Sequence, residues 1–177
     1  ASSADTPTVT LRFNSSTGYV GGLVGTLASA SDYNSGANYV VDSYNSGAIS
    51  GHSDKSYCGI GGLVGNLEGG YSSYNQCYIR NCYNVGTVTD LGTKEKGNPG
   101  AVVGYMNSDY SEDSFISMVD LYYLSCGLEA VGTVGYSTVK NPDQLIEMNE
   151  DAMKSADFVT TLGESFKADG TCMQKVN

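Results

Sequence analysis

The sequence has little positive charge: 9 Lys and Arg residues stand against 19 Asp and Glu residues, so the net charge of the 177-residue chain is −10. A phosphate backbone would repel such a chain, and we expect no nucleic acid partner. Long hydrophobic runs are also missing, because no stretch approaches the roughly 20 apolar residues that span a bilayer. We therefore expect no membrane insertion of this segment.

Residues for catalysis are scarce. His52 is the single histidine, and it lies in a polar stretch, residues 51–55, where a solvated loop histidine is expected. The chain has neither a His-Glu-x-x-His zinc motif nor a Gly-x-Ser-x-Gly turn for a nucleophilic serine. A glycan hydrolase or lyase that uses an Asp pair stays open, since two carboxylates about 5–10 Å apart suffice for acid–base chemistry. We predict that the protein is not an enzyme.

The five cysteines, at positions 58, 77, 82, 126 and 172, include no Cys-x-x-Cys pair, so a zinc site is not expected. Cys82 is predicted to be a small buried residue. Cys126 with Cys172 is the most plausible disulfide pair, and the odd number leaves at least one free thiol or an intermolecular bond.

Glycine is abundant, with 23 residues, and much of it belongs to an internal repeat. The motif Gly-Gly-Leu-Val-Gly at residues 21–25 returns at 61–65 after 40 residues, and as Gly-Ala-Val-Val-Gly at 100–104 after 39 more. A second block, residues 40–47, returns at 79–86 and 118–125 in steps of 39. Two blocks that keep one period predict a repeat architecture.

The composition of the repeat favours strands. Units rich in Gly, Asn, Ser and β-branched residues are poor helix formers, and three units are too few to close a propeller. We expect an all-β chain: a parallel β-solenoid of about three 39-residue repeats. Each unit would have three short strands, the first of them the glycine motif, and equivalent residues would stack about 4.8 Å apart. The repeats would occupy residues 1–140, as units near 18–51, 52–99 and 100–140.

Equivalent residues of the repeats would form columns, and large apolar columns should face inward. The motif glycines would allow a positive φ at the corners of the coil. A polar column of Asp and Asn is interpreted as turn-forming, because its two Asp residues would be roughly 10 Å apart and need no metal. The columns are Leu23, Leu63 and Val102; Val40, Ile79 and Met118; Tyr44, Tyr83 and Tyr122; and Asp42, Asn81 and Asp120.

Residues 141–177 are predicted to form a short C-terminal α-helical cap. Asn141, Pro142 and Asp143 have the pattern of a helix start, Ser155 offers a second start, and Gly163 can end that helix. We expect two short helices over 141–163 that cover the last coil, because an open end exposes a strand edge.

The segments between the two repeated blocks, residues 26–39, 66–78 and 105–117, would project from one edge of the stack and could form a binding face. Their tyrosines could stack on sugar rings, or could cover the outer faces of Val24, Val64 and Val103. The candidate ligand-binding residues are Tyr33, Tyr39, Tyr71, Tyr74, Tyr78, Tyr105 and Tyr110.

Calcium is the only cofactor with a candidate site. Asp109, Ser111 and Asp113 place oxygen ligands at alternate positions. Ser114 stands where a calcium loop needs glycine, so a solvated acidic loop is the alternative interpretation.

The paired motifs resemble those of the GLUG-motif repeat family of bacterial surface and secreted proteins, which is named for a Gly-Leu-x-Gly core. Residues 61–65 and 82–88 match both parts of the family unit, and the resemblance covers approximately residues 18–125. The third copy departs from the pattern at Ala101, Tyr123 and Ser125. Family members are typically pieces of large exported or surface-attached proteins, some of them IgA-specific metallopeptidases. The resemblance therefore implies an extracellular or cell-surface location.

From these observations we expect a non-enzymatic structural or adhesion module of an exported bacterial surface protein, monomeric as a domain. Its partner would be a glycan or protein of the host or bacterial surface. A carbohydrate-binding module and an accessory domain of a surface peptidase are the alternatives.

Overall fold

The computed structural model describes residues 8–12, 17–29, 36–52, 57–69, 75–92, 99–108, 116–135, 138–168 and 173–175. The chain is mostly β, as expected, with two short helices, α1 (Glu150–Met153) and α2 (Ala156–Leu162). None of the helices in these ranges is long and apolar enough to cross a membrane. The strands are β1 Thr8–Arg12, β2 Thr17–Gly21, β3 Val24–Ala28, β4 Gly36–Val41, β5 Tyr44–Asn45, β6 Ala48–His52, β7 Tyr57–Gly61, β8 Val64–Gly69, β9 Asn75–Asn84, β10 Val88–Asp90, β11 Val103–Ser108, β12 Ile116–Leu124, β13 Val131–Val134, β14 Leu145–Met148, β15 Phe166–Ala168 and β16 Met173–Lys175.

Four parallel sheets collect equivalent strands from successive repeats. Sheet A contains β2 and β7; sheet B runs β3, β8, β11, β13; sheet C runs β4, β9, β12, β14, with β5 also paired to β9; and sheet D runs β1, β6, β10. A separate antiparallel pair joins β15 and β16. All pairs in sheets A to D are parallel, as a stack of repeated units requires.

The predicted columns are in register. Tyr83 pairs with Tyr44 on one side and Tyr122 on the other, and Ile79 pairs in the same way with Val40 and Met118. The third column is joined by backbone bonds of 2.9 Å, from Leu23 N to Leu63 O and from Leu63 N to Val102 O. Residues one period apart in the sequence are therefore direct neighbours.

The glycine motif is a corner rather than a strand, which corrects the sequence interpretation. In the second repeat, Gly62 and Leu63 form a bend between β7 and β8. This repeat consequently has four strands, β7 to β10, where three were expected. The strand before the corner was missed because its sequence, Tyr57–Gly61, has no regular alternation of apolar and polar residues.

The role predicted for the motif glycines, a positive φ, is also wrong. Among the described residues, the glycines with positive φ are Gly127 and Gly163, outside the motif. The motif glycines are needed because backbones meet: a Cβ on Gly65 would lie 2.6 Å from both Gly25 O and Val20 N. Real Cβ contacts are never so short, so sheets A and B approach with no side chain between them at this point.

Positive φ occurs instead in the Asp/Asn column, at Asp42 (47°), Asn81 (50°) and Asp120 (53°). Asn and Asp adopt this left-handed conformation more readily than other residues with a Cβ. The bend shifts the alternation of the strand, so that Ile79 and Cys82, three residues apart, both belong to the main core. The column was predicted to form turns; Asn81 and Asp120 instead bend strands β9 and β12 from within.

The main core joins residues of sheets B and C, among them Leu63, Leu67, Ile79 and Leu121, and a smaller cluster joins Val20, Ile49, Ile60 and Val88. The tyrosine column does not line the main core, contrary to the expectation of an inward face. Tyr83 and Tyr122 pack in a third cluster with Met153, Phe158, Leu162 and Phe166 of the C-terminal segment. The Asx bend reverses the side on which these rings emerge.

A fourth set of equivalent strands, β13 and β14, was not anticipated. The strands of each set form one level of the stack: β2 to β6 the first, β7 to β10 the second, β11 and β12 the third, and β13 and β14 the fourth. Val131 of β13 pairs with Val103, 28 residues earlier, and Leu145 of β14 pairs with Leu121, 24 residues earlier. The connecting segments are shorter here, so the period of 39 is lost and comparison of the sequence with itself does not find the copy.

The C-terminal segment is partly corrected and partly confirmed. The first predicted helix is wrong: Pro142–Gln144 is a single 3-10 turn, Asn141 makes no capping bond, and strand β14 follows. Residues 145–148 can form backbone hydrogen bonds with the open edge of β12. An isolated helical turn has no such partners, so the strand is favoured. The second predicted helix, α2, is confirmed: Ser155 Oγ accepts a hydrogen bond from Phe158 N, and Gly163 ends the helix with a φ of 76°.

None of the four cysteines that the structure describes forms a disulfide bond. Cys58, Cys77 and Cys82 are buried, as expected for Cys82, and Cys126 is exposed. The suggested bridge from Cys126 to Cys172 is therefore not formed, and Cys172 itself lies outside the described residues.

Alanine at two equivalent glycines tests the contact between sheets A and B. Gly65→Ala should lower the free energy of unfolding by about 1–3 kcal/mol, the usual cost of overpacking, because its Cβ meets backbone atoms. Gly25→Ala, at the same motif position, meets only Tyr19 O at 3.4 Å and should change stability by less than about 1 kcal/mol. Urea denaturation of both variants measures the difference, and equal losses would contradict the proposed contact.

Candidate functional site

The predicted site residues fall into two groups. Tyr39, Tyr78 and Tyr105 are described by the structure. The other candidate tyrosines, Tyr33, Tyr71, Tyr74 and Tyr110, and the calcium candidates, Asp109, Ser111 and Asp113, lie outside the described residues. Both the complete tyrosine surface and the calcium site consequently stay predictions.

Tyr39 and Tyr78 come together on the outer face of sheet C. They pair in register, and their rings stack with centroids 4.9 Å apart and an interplanar angle of 7°. Tyr39 is 62% exposed and Tyr78 is half-buried. Ser117 takes the next position in this column, so the ladder has two rings. Since one face of Tyr39 is occupied by Tyr78, its opposite face is the surface that a planar ligand could cover.

Tyr105 does not join this surface. It lies on β11 of sheet B, is only 7% exposed, and has Tyr19 as its aromatic neighbour, with centroids 6.3 Å apart. Burial, followed by the proximity of Tyr105, raises the pKa of the Tyr19 hydroxyl. Among the described candidates, Tyr105 therefore lies apart from the Tyr39–Tyr78 pair.

A groove of about 490 Å³ lies beside the tyrosine pair, where the outer face of sheet C meets the end of α2. Arg80 is two residues from Tyr78 on β9, so both side chains emerge on the same face. Asp42, Asn81 and Asp120 follow at the bend. The lining residues are Val41, Asp42, Arg80, Asn81, Asp120, Thr161 and Leu162.

Asn81 fixes the geometry of the groove. Its side-chain amide donates one bond of 2.6 Å to Asp42 Oδ1 and one of 3.0 Å to the carbonyl oxygen of Leu162. Both amide protons are thereby used, so the donor left in the groove is the guanidinium of Arg80. The groove offers mainly acceptor oxygens, which suit a ligand rich in hydroxyl groups.

Sequence reasoning found the Asp/Asn column but not the rest of the groove. Arg80 stands at a position that holds Val41 and Val119 in the other repeats, so no repeated pattern marks it. Thr161 and Leu162 come from the C-terminal segment, about two periods later in the chain. Only the three-dimensional packing of α2 brings them to the groove.

Burial raises the pKa values of a tyrosine and a cysteine on sheet C. Burial, and to a lesser extent Asp120, raises the pKa of Tyr122, which stays a neutral phenol. Burial, with Glu68 as a second cause, raises the pKa of Cys77 to about 11, so this thiol is a poor nucleophile. His52 ends strand β6, where a loop was expected. Within the described ranges, no three His, Cys, Asp or Glu residues lie close enough to hold a metal ion.

A buried ladder of asparagines was also missed. Asn45 and Asn84 are 7% and 2% exposed, and Asn45 Nδ2 donates to Asn84 Oδ1 at 2.8 Å. Each side chain also bonds the backbone of the glycine two residues later, Gly47 or Gly86. The signal was the repeated Tyr-Asn-x-Gly sequence. All these bonds are internal, which makes the ladder a structural element rather than a binding site.

The asparagine ladder also limits the space at the neighbouring glycine. A Cβ on Gly62 would lie 2.1 Å from the backbone oxygen of Ala101 and 2.3 Å from Asn84 Nδ2, so both exclude a side chain here. In the third copy Ala101 replaces the glycine and Tyr123 replaces the asparagine, so one of these two contacts is absent.

Comparison of the chain with protein-family models, with curated proteins and with solved structures finds no match. The function is therefore argued from the geometry of the stack and of the groove.

Replacement of Asn81 tests how the groove is held. Asn81→Asp keeps the left-handed bend but places a carboxylate beside Asp42 and the Leu162 carbonyl. Repulsion raises the pKa of the new carboxyl in the folded state, so the destabilisation should grow as pH rises through that pKa. Near neutral pH we expect a loss of about 1–3 kcal/mol, most of which disappears in acid.

Asn81→Gly is the matched control, because it keeps the positive φ, removes the same two bonds and adds no charge. Relative to the native chain, Asn81→Gly should lose nearly the same stability at acid pH as at neutral pH. Thermal unfolding at several pH values measures both variants. An identical pH profile for the two would show that Asn81 does not hold the groove through these bonds.

Proposed function

We propose that the chain is a β-solenoid module of GLUG-type repeats that acts as a non-enzymatic spacer or adhesion element of an exported bacterial surface protein. The observation that carries this proposal is the register of the four parallel sheets, in which residues one repeat apart are direct neighbours. A stack of this kind has a fixed rise for each repeat, so it sets a distance between whatever precedes and follows it.

Two further features support a spacer. The Asn45–Asn84 ladder and the glycine contacts between sheets A and B define one register, because a slip would leave buried amides without partners.

Surface display tests the spacer function. The chain is inserted between a bacterial surface anchor and a reporter epitope, and the epitope is counted after exposure of the cells to protease. The native chain and Gly25→Ala should keep the epitope, whereas Gly65→Ala, which is expected to lose about 1–3 kcal/mol of stability, should keep less of it. If Gly65→Ala keeps as much epitope as the native chain although the purified variant is unfolded, display does not need the folded stack.

A carbohydrate-binding module is the second candidate, and the Tyr39–Tyr78 pair favours it. The open face of Tyr39 could stack on a sugar ring, and the adjoining groove supplies Asp42, Asp120 and Arg80 for its hydroxyl groups. Two carboxylates and one guanidinium give the groove a net negative charge. A neutral glycan fits this balance better than an acidic one.

A glycan array with the native chain tests this second candidate. Tyr39→Ala should abolish any binding without a change in melting temperature, because the ring is 62% exposed. Leu91→Ala is the control, since Leu91 is also exposed but follows β10 of sheet D. Absence of binding by the native chain, or equal binding by Tyr39→Ala, would contradict a glycan site at this surface.

A further inference from the structure

The exposed large hydrophobic residues of the described chain lie at the open ends of the sheets. Tyr39 and Val41 lie on β4 and Leu23 precedes β3, all at the first level. Val134 ends β13 and Ile146 lies on β14, both at the fourth level, and Leu91 follows the last strand of sheet D. Their exposed fractions are Leu23 37%, Tyr39 62%, Val41 41%, Leu91 48%, Val134 38% and Ile146 36%.

Two of these residues end columns that are apolar throughout. Val134 is the fourth member of the column Leu27, Leu67, Met106, whose two middle members are almost completely buried. Ile146 is the fourth member of the column Tyr44, Tyr83, Tyr122. Val134 is more exposed than Met106 before it, whereas Leu27, at the opposite end of the same column, is buried at 8%. A further strand carrying residues such as Leu27 and Tyr44 would cover Val134 and Ile146.

The two ends of the stack have complementary steps. At the N-terminal end, sheet D starts one level early, because β1 pairs with β6 while sheets A, B and C start at β2, β3 and β4. At the C-terminal end, sheets B and C reach the fourth level through β13 and β14, whereas the last described strand of sheet D is β10, at the second level. Leu128 packs against the small core that contains Val88 of β10, and partly fills the step.

A second molecule would fit this step. If its first level followed the fourth level of the stack, its β1 would lie beside the fourth level, where the described part of sheet D has no strand. Sheet D thus protrudes by one strand at the N-terminal end of the stack and is recessed at the C-terminal end.

The charges distinguish the two ends. Strands β2, β3 and β4 contain no charged residue and no proline, the usual protections of an open edge. The opposite end carries Glu147 on β14 and Glu129 two residues before β13. Two C-terminal ends would bring Glu147 and Glu129 together from both sides and repel each other, whereas an N-terminal end adds one carboxylate beside its edge strands, Asp42 directly after β4.

The C-terminal segment leaves the fourth level accessible. Phe158 of α2 packs edge-on against Tyr83 and Tyr122, and Phe166 packs against Tyr83. These tyrosines belong to the second and third levels. The described chain after β14 therefore turns back along the flank of the stack instead of covering its end.

We propose that a second copy of the chain docks head-to-tail, with the β3–β4 edge of one copy on the β13–β14 edge of the other. Sheets B and C then continue in parallel across the junction, with Leu27 of one copy beside Val134 of the other and Tyr44 beside Ile146. The two surfaces in contact differ, so the contact is heterologous and each added copy leaves one new open end. Assembly in solution goes beyond the spacer function and does not depend on it.

Sedimentation of the full chain over a range of concentrations tests the proposal, at raised ionic strength so that repulsion between the anionic molecules is screened. Two variants block one end each, and Thr26 and Thr133 belong to the same column. Leu23→Glu with Thr26→Glu blocks the N-terminal end, and Thr133→Glu with Val134→Glu blocks the C-terminal end. Thr160→Glu, on the exposed side of α2, adds charge away from both ends as a control.

The native chain and the Thr160→Glu control should form a series of oligomers that grows with concentration. Each blocked variant alone should be a monomer with a melting temperature near that of the native chain. A mixture of the two blocked variants should form a one-to-one dimer, because each supplies the end that the other lacks. Only a head-to-tail contact gives this combination.

Other results would overturn the proposal. A native chain that is monomeric at all concentrations has no such contact. A closed dimer that survives the C-terminal block would instead join two N-terminal ends. If the chain stays monomeric but gains stability when an additional repeat unit is fused before residue 1, the uncharged edge belongs to a repeat of the same polypeptide rather than to a second molecule.

Discussion

The close approach of sheets A and B is the constraint on which the rest of the stack depends. At Gly61, Gly65 and Gly104 the backbone of one strand occupies the space that a side chain would need. Glycine is costly to order, because it loses more conformational freedom on folding than any other residue. That cost is offset at the same corner by Leu63 and Val64, which are fully buried. The motif therefore combines residues that permit the contact with residues that stabilise it.

The second constraint is the left-handed conformation of the Asp or Asn residue in each bent strand. Because of this bend, one strand contributes side chains both to the main core and to the flank. Before the bend, Ile79 faces the main core; after it, Cys82 faces the same core and Tyr83 emerges on the flank. The C-terminal segment packs on the tyrosines that this shift exposes, and Asn81 itself bonds the carbonyl of Leu162. The groove, the flank cluster and the position of α2 are thus consequences of one backbone conformation.

The sequence predicts what depends on spacing and misses what depends on contacts through space. The period of 39 was sufficient to place Tyr44, Tyr83 and Tyr122 in one column, because stacking repeats each position. It could not reveal on which side the rings lie, since one bend inverts the alternation.

The other errors have the same origin. The glycine motif suggests flexible corners to a reader of the sequence, whereas its reason is the proximity of strands 40 residues apart. The fold of residues 141–148 depends on the free edge of β12, and local signals for a helix start cannot report a distant edge. The groove needed both the repeat and the C-terminal segment, so only its Asp/Asn column was visible in advance.

The asparagine ladder also bears on how strongly copies of the stack can join. Within the chain, Asn45 and Asn84 fix the register, because their amides find partners in one alignment only. At the fourth level Glu147 takes the position of this column, and the side-chain amide of Asn45 already donates to Gly47 and Asn84. A junction between copies would thus gain apolar contacts and strand hydrogen bonds but no asparagine rung. It should be weaker and less strict in register than the contacts between repeats of one chain, which allows the chain to fold before it assembles.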